Sequence, residues 1–159
     1  MQNSSSSEGD DSNTLYLKLW LQMAKCSKTI EQEMEARFQK NFKQSLSRFD
    51  VMSQLNRCKP DRLPMGKLAQ QLIASKGNIT RLVDRMISEG LLDRQPGPED
   101  RRVIQVGLTP KGQALFDEMA GAHAQWAEHL LNKLNLPDSH QLLDLLTRVN
   151  REFSDESEP

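Results

Sequence analysis

The chain has 159 residues, with 21 Lys and Arg against 22 Asp and Glu and a formal charge of −1, which excludes a protein that coats nucleic acid by being basic throughout but leaves room for a local basic patch. Its length fits one domain, or one small domain with helical extensions, and is enough for a sizeable core. No apolar run approaches the roughly 18 residues of a bilayer span, and MQNSSSSEGDD lacks the basic and apolar regions of a signal peptide, so the expected location is cytoplasmic, with no membrane partner.

Residues 1–13 are Ser-rich and acidic without periodicity, which predicts a disordered tail. From Thr14 to about Phe42 the residues Tyr16, Trp20, Met23, Ile30, Met34, Phe38 and Phe42 recur mostly in steps of three and four, predicting one long amphipathic helix. Ser47 with Asp50 three residues later is a capping signal for a second helix, carrying Phe49, Met52 and Leu55 and ending near Cys58. Pro60 and Pro64 bracket a connection. A short helix from Met65 to Leu72 follows, with Leu68, Ala69 and Leu72 on one side. Ser75 is placed to cap a helix from Lys76 to about Glu89 that buries Ile79, Leu82, Val83 and Met86, and Gly90 suits its left-handed stop.

The period then changes. Leu91–Gln95 and Val103–Leu108 flank Pro96-Gly97-Pro98-Glu99-Asp100 and predict a β-hairpin. Thr109-Pro110 opens a long helix to about Asn135, with Leu115, Met119, Ala122, Trp126 and Leu130 as its stripe. Pro137 starts a last helix with Leu142, Leu145, Leu146, Val149 and Phe153 facing inward, and residues 154–159 form a frayed acidic end.

The expected fold is therefore mainly α with a small β-hairpin wing. Residues 14–46 form an N-terminal helix, 47–109 a winged helix-turn-helix lobe, and 110–153 the C-terminal helices. In such a lobe the second helix of the helix-turn-helix enters the major groove and its N-terminal residues meet base edges. Here those residues are Ser75, Lys76, Gly77, Asn78, Thr80 and Arg81, donors and acceptors of suitable size. The hairpin loop ends in Asp100-Arg101-Arg102, and guanidinium groups at a loop tip suit the negative potential of a narrow minor groove. Arg85 either meets a phosphate or pairs with Asp84 or Glu89. Arg94 is a further phosphate candidate, while Arg57, Lys59, Arg62 and Lys67 are read as solvated unless the backbone lies within reach.

The stretch MGKLAQQLIASKGNITRLVDRMISEGLLDRQPGPEDRRVIQVGLTPKG resembles the DNA-binding core of the MarR family of transcriptional regulators. Its most specific parts are NITRLVDRM followed by EGLLDR, the PEDRR wing and LTPKG. The resemblance is close over about residues 47–115; the flanking helices match by placement only. It implies a homodimer built from the first and last helices, with two recognition helices about 34 Å apart on a pseudo-palindromic double-stranded DNA operator. It also implies that Asp100 orients Arg102 toward the minor groove, and that a small-molecule effector bound between the dimer helices and the lobe weakens DNA binding. A narrower resemblance, in KGNITRLVDR and in GAHAQW at Gly121–Trp126, is to the branch controlling aromatic-acid catabolism, which implies an aromatic acid or its CoA thioester as effector.

Trp20, Phe49, Met52 and Trp126 are candidate stacking partners for such a ligand, although their stripes equally explain them as packing. Lys25, Lys28, Arg37 and Arg48 are candidate cations for its carboxylate or phosphates. His123 reads as surface or lightly buried. No cofactor or metal is expected: Cys26 and Cys58 make no disulfide framework or metal spacing, and His123 and His129 are badly spaced for one helix face. Two other readings compete. A cysteine-based redox-sensing repressor would use Cys26 or Cys58, but only Lys25 and Lys28 stand near Cys26 to activate it. A helical adaptor would need no basic hairpin tip. An enzyme is not expected, because there is no Gly-rich phosphate loop, nucleophile motif or convergent acid–base set. The charge is also uneven: Asn56–Lys111 holds eleven Lys and Arg against six Asp and Glu, a net of +5, which leaves −6 for the rest.

Overall fold

The computed structural model describes the backbone of residues 5–72 and 78–155 and the side chains of 12–72 and 78–153. The elements are helices α1 (Ser5–Phe42), α2 (Leu46–Arg57), α3 (Met65–Gln71), α4 (Ile79–Ser88), α5 (Pro110–Leu131) and α6 (Leu136–Asp155) and three short strands, β1 (Leu63–Pro64), β2 (Leu92–Pro96) and β3 (Ile104–Leu108). The chain divides into two units, 1–123 and 124–159.

Residues 5–13, expected in a disordered tail, belong to the first helix, and residues 1–4 lie outside the described residues. The helix starts at Ser5, eleven residues before Tyr16, the first residue of the apolar stripe. Once the stripe nucleates a helix, each added residue gains one hydrogen bond, and an acidic leading segment suits the positive end of the helix. The helix stops at Lys43, which has a left-handed φ of 57°. The cap of α2 is Ser45, not Ser47: the Arg48 backbone N–H donates to Ser45 Oγ at 3.2 Å. Leu46 N–H donates to Glu35 Oε2 at 2.7 Å, which ties the start of α2 back to α1.

The sheet has the order β1-β3-β2, antiparallel throughout. Leu92 pairs with Leu108 and Pro96 with Ile104, so β2 and β3 form the expected hairpin. The edge strand β1 was not expected; Leu63 pairs with Val106 and Pro64 with Gln105. Helix α4 ends in a Schellman arrangement: Gly90 has φ 74°, its N–H donates to Ile87 O, and Leu91 N–H donates to Met86 O. At the start of α5, Thr109 Oγ1 accepts from Gly112 N–H at 3.0 Å, so Thr109 is the cap the sequence predicts. Gly112 lies so close to β2 that a Cβ there would overlap the Leu91 carbonyl oxygen. Helix α5 stops at Leu131, short of Asn135. Asn135 instead caps α6, accepting from Asp138 N–H at 2.8 Å, so that helix starts one residue before Pro137.

The core of the first unit joins Phe38 of α1, Val51 and Met52 of α2, Leu68 of α3, Val83 and Met86 of α4, Leu92, Val106 and Met119, all essentially inaccessible. Each such side chain contributes about 1.5–3 kcal/mol by burial. In α5 the buried side chains are Phe116 and Met119, with Gly112 beside them, and Leu115 is only half-buried. In α6 the apolar residues expected to face inward, Leu142, Leu145, Val149 and Phe153, are exposed within the single chain, and Leu146 is half-buried.

Candidate nucleic-acid interface

Helix α4 has two faces. Val83 and Met86 are buried and Ile79 and Leu82 half-buried, while Thr80, Arg81, Asp84, Arg85 and Ser88 are exposed. The exposed residues follow a spacing of one, four, five and eight from Thr80, a single helical face. The residues that anchor the helix and those free to meet a ligand are thus separated by the helical period.

The N-cap of α4 is Asn78, whose Oδ1 accepts from Arg81 N–H at 3.0 Å. This replaces Ser75 as the expected cap and moves the helix start from Lys76 to Ile79. Asn is as good a cap as Ser, because its side-chain oxygen reaches the same orphan N–H. Ser75, Lys76 and Gly77 lie outside the described residues. Asn78 uses its carbonyl oxygen as the cap, which leaves its amide N–H groups to donate outward.

The two carboxylates that competed for Arg85 are engaged elsewhere. Asp84 pairs with Arg94 of β2, and Glu89 pairs with Arg48 of α2 at 2.5 Å. Among the described residues Arg85 forms no ion pair, and it stands exposed beside Arg81. Arg94, a phosphate candidate from its sequence position, instead links β2 to α4.

The wing loop is a turn held by its own polar groups. Gly97 N–H donates to Val103 O at 2.7 Å and Val103 N–H to Asp100 O at 3.1 Å. Asp100 Oδ1 accepts from the Arg102 backbone N–H at 2.9 Å. Asp100 therefore contacts the Arg102 backbone and not its guanidinium, and the carboxylate shapes the turn that carries the arginine. Arg101 and Arg102 are exposed, and neither is in an ion pair among the described residues. At the base of the wing, Arg62 grips Asp93 through two hydrogen bonds of 2.5 and 2.9 Å. These bonds hold the Asp93 carboxyl below the usual carboxylate range and raise the Arg62 guanidinium. Arg62 is thus a strut between the α2–α3 connection and β2, a role that no local signal carries because the partners are 31 residues apart.

The four residues expected to stack on a ligand do not share one environment. Trp20 is 62% exposed on α1, Phe49 and Met52 are buried in the core, and Trp126 is half-buried in the second unit. An aromatic cluster does form, from other members. Phe49 stacks on Phe38 at 4.8 Å and on Phe116 at 5.7 Å, and the His123 ring lies 4.8 Å from Phe49 and 5.9 Å from Phe38. His123 is half-buried, and desolvation in this cluster pushes its pKa down. Phe116 was not singled out by the sequence, because what marks it is a cluster that joins three helices. Among the candidate cations, Lys25 and Lys28 are exposed, Arg37 pairs with Glu33 at 2.7 Å, and Arg48 is held by Glu89. Cys26 is exposed and Cys58 half-buried, both as free thiols. Among the described residues no cluster of His, Cys, Asp and Glu could hold a metal, and no helix is long and apolar enough to cross a membrane.

Residues 45–104 match the model of the MarR family, the segment from the cap of α2 to the start of β3. The chain is 30% identical over 97 residues to the HTH-type transcriptional regulator YhbI of Bacillus subtilis, covering 59% of this chain and 63% of that relative. It is 26% identical over 133 residues to MhqR of the same organism, covering 84% and 90%. Its fold is similar to that of a mutant Escherichia coli MarR complexed with operator DNA, with a TM-score of 0.73 and 21% identity over 84% of this chain and 94% of that one.

Proposed function

We infer that this chain is a winged-helix transcriptional regulator of the MarR family and works as a homodimeric repressor that leaves a pseudo-palindromic operator when a small effector binds. The observation that carries DNA binding is the joint exposure of Thr80, Arg81 and Arg85 on α4 and of Arg101 and Arg102 on the wing, with the carboxylates nearest them already engaged. A helix-turn-helix presents such a face to the major groove, and loop arginines suit the adjacent minor groove. The net charge of +5 over Asn56–Lys111 against −6 elsewhere orients that face toward a polyanion.

The effector we propose is an aromatic acid or its CoA thioester. The reading follows the resemblance in KGNITRLVDR and GAHAQW, and an aromatic cluster of Phe38, Phe49, Phe116 and His123, its rings packed on one another, lies where α1, α2 and α5 meet. Dimerisation is supported by the exposed apolar residues of the amino-terminal half of α1 and of α6.

The test is a gel shift on the DNA upstream of the protein's own gene, at two salt concentrations. Specific binding should fall steeply with salt, by about 10³ to 10⁵ between 50 and 200 mM if six to ten phosphates are neutralised. Arg102→Ala should weaken operator binding by about tenfold or more, with the fold intact by circular dichroism. Wild-type affinity in that variant would remove the wing from the interface, and no binding by the parent at low salt would overturn the reading.

A further inference from the structure

The carboxyl end of α4 is where other elements grip the reading helix. From α2, Arg48 Nη2 donates to Glu89 Oε2 at 2.5 Å, and Arg48 Nη1 donates to Gln44 Oε1 at 2.7 Å. From α5, Lys111 Nζ donates to the Glu89 carbonyl at 2.8 Å, and Thr109 Oγ1 donates to the Gly90 carbonyl at 2.7 Å. The α5 bonds hold backbone. The Arg48–Glu89 contact is the side-chain ion pair among them, and it joins residues 41 apart in sequence. The Arg48 side chain is only 12% exposed, so it is far better fixed than an ordinary surface arginine, while Glu89 is 40% exposed.

The pair stands away from the end of α4 that opens toward DNA, with Arg85 alone of the proposed contacts within one turn of Glu89. Asn78, Thr80 and Arg81 occupy the other end of α4, about 13 Å away at 1.5 Å per residue. A small tilt at Glu89 therefore displaces the reading end, and a misplacement of about 1 Å is costly where hydrogen-bond geometry decides recognition. The position of Arg48 is itself determined: the cap at Ser45 and the bond from Leu46 N–H to Glu35 lock the first turn of α2 to α1.

We propose that Arg48 and Glu89 are positioning residues that set the angle of α4 on the α1–α2 junction, and so determine operator specificity without touching DNA. The proposal rests on the DNA-binding reading above and adds the element that aims the helix. Its signature is selective. Removing the pair lowers operator affinity while leaving affinity for unrelated DNA and the salt slope unchanged, because phosphate contacts tolerate a tilt better than base contacts do.

The experiment compares the full-length parent with Arg48→Ala, Glu89→Ala, the double alanine variant and the exchanged pair Arg48→Glu/Glu89→Arg. Each is titrated with operator and with a scrambled duplex of equal length, and its thermal midpoint is recorded. Each single variant should lose about fivefold in the ratio of operator to scrambled affinity, the double variant should lose no more than either single, and the exchanged pair should recover part of the loss. Loss of stability with an unchanged ratio would overturn the proposal, as would additive losses in the double variant. Should the alanine variants unfold, Arg48→Lys and Glu89→Gln carry the same comparison, with the smaller loss expected of the lysine. If the parent binds operator but the ratio does not move in any variant, the positioning role fails and the DNA reading stands. If the parent binds neither duplex, both fail.

Discussion

The winged-helix lobe and the chain's outer helices solve the burial problem differently. In the lobe, Met52, Leu68, Val83, Met86, Leu92 and Val106 are sealed by neighbours from the same chain. In the outer helices, Trp20 is 62% exposed, Leu136 75% and Phe153 64%. Both regions are written with an apolar stripe at helical spacing, so the stripe alone does not say where its partner comes from. A stripe covered within the chain supports folding, while one left open supports association, since exposed apolar surface of that kind marks a contact site.

Three substitutions test this contrast. The largest effect is expected from Met86→Ala in the lobe, which should lower the unfolding free energy by about 2–5 kcal/mol in a urea titration. A loss under ~1 kcal/mol would mean that the lobe core is looser than its burial indicates. Next comes Trp20→Ala on the open face of α1. If that face is the dimer contact, sedimentation should show a dissociation constant raised about thirtyfold, because buried tryptophans are common interface anchors. An unchanged constant would place the dimer contact elsewhere.

The smallest effect concerns pH. Burial lowers the His123 pKa from the ordinary value near 6.5. Between that value and the lower folded one, the unfolded chain binds a proton that the folded ring resists, so stability is complete above about pH 6.5 and declines as pH falls toward the folded value. His123→Phe should flatten the decline in urea midpoint between pH 7 and pH 5.5. Parallel declines in parent and variant would exclude His123 as their source.

Much of the lobe was readable from residues close together in sequence. Thr109-Pro110 announced α5, Gly90 announced the end of α4, and the Pro/Gly loop between two short apolar runs announced the hairpin. These signals are local: a cap, a left-handed stop and a turn. What was not readable depends on distant partners or on competition between equal candidates. The strand β1 is two residues long and contains Pro64, so it has no period to detect, and only pairing with β3 makes it a strand. Ser45 and Ser47 are equally good caps by composition, and the Glu35 contact with Leu46 favours the earlier start. Arg62, Arg94 and Arg48 all resembled free cations until Asp93, Asp84 and Glu89 were brought to them by the fold. At the candidate interface the residue types of α4 and the wing were legible, whereas which arginines remain available to a polyanion was not.

Gly112 carries one more consequence. The first turn of α5 presses against the Leu91 backbone where any side chain would collide with a carbonyl oxygen. The gap between the helix leading out of the lobe and the strand leading into the wing is therefore set by the absence of a methyl group. A single added carbon would wedge the two apart, with no flexible side chain at the point of contact to absorb it. In a saturation library screened for operator-dependent repression, this position should accept glycine alone, even though it lies in a helix, where alanine is ordinarily the better residue.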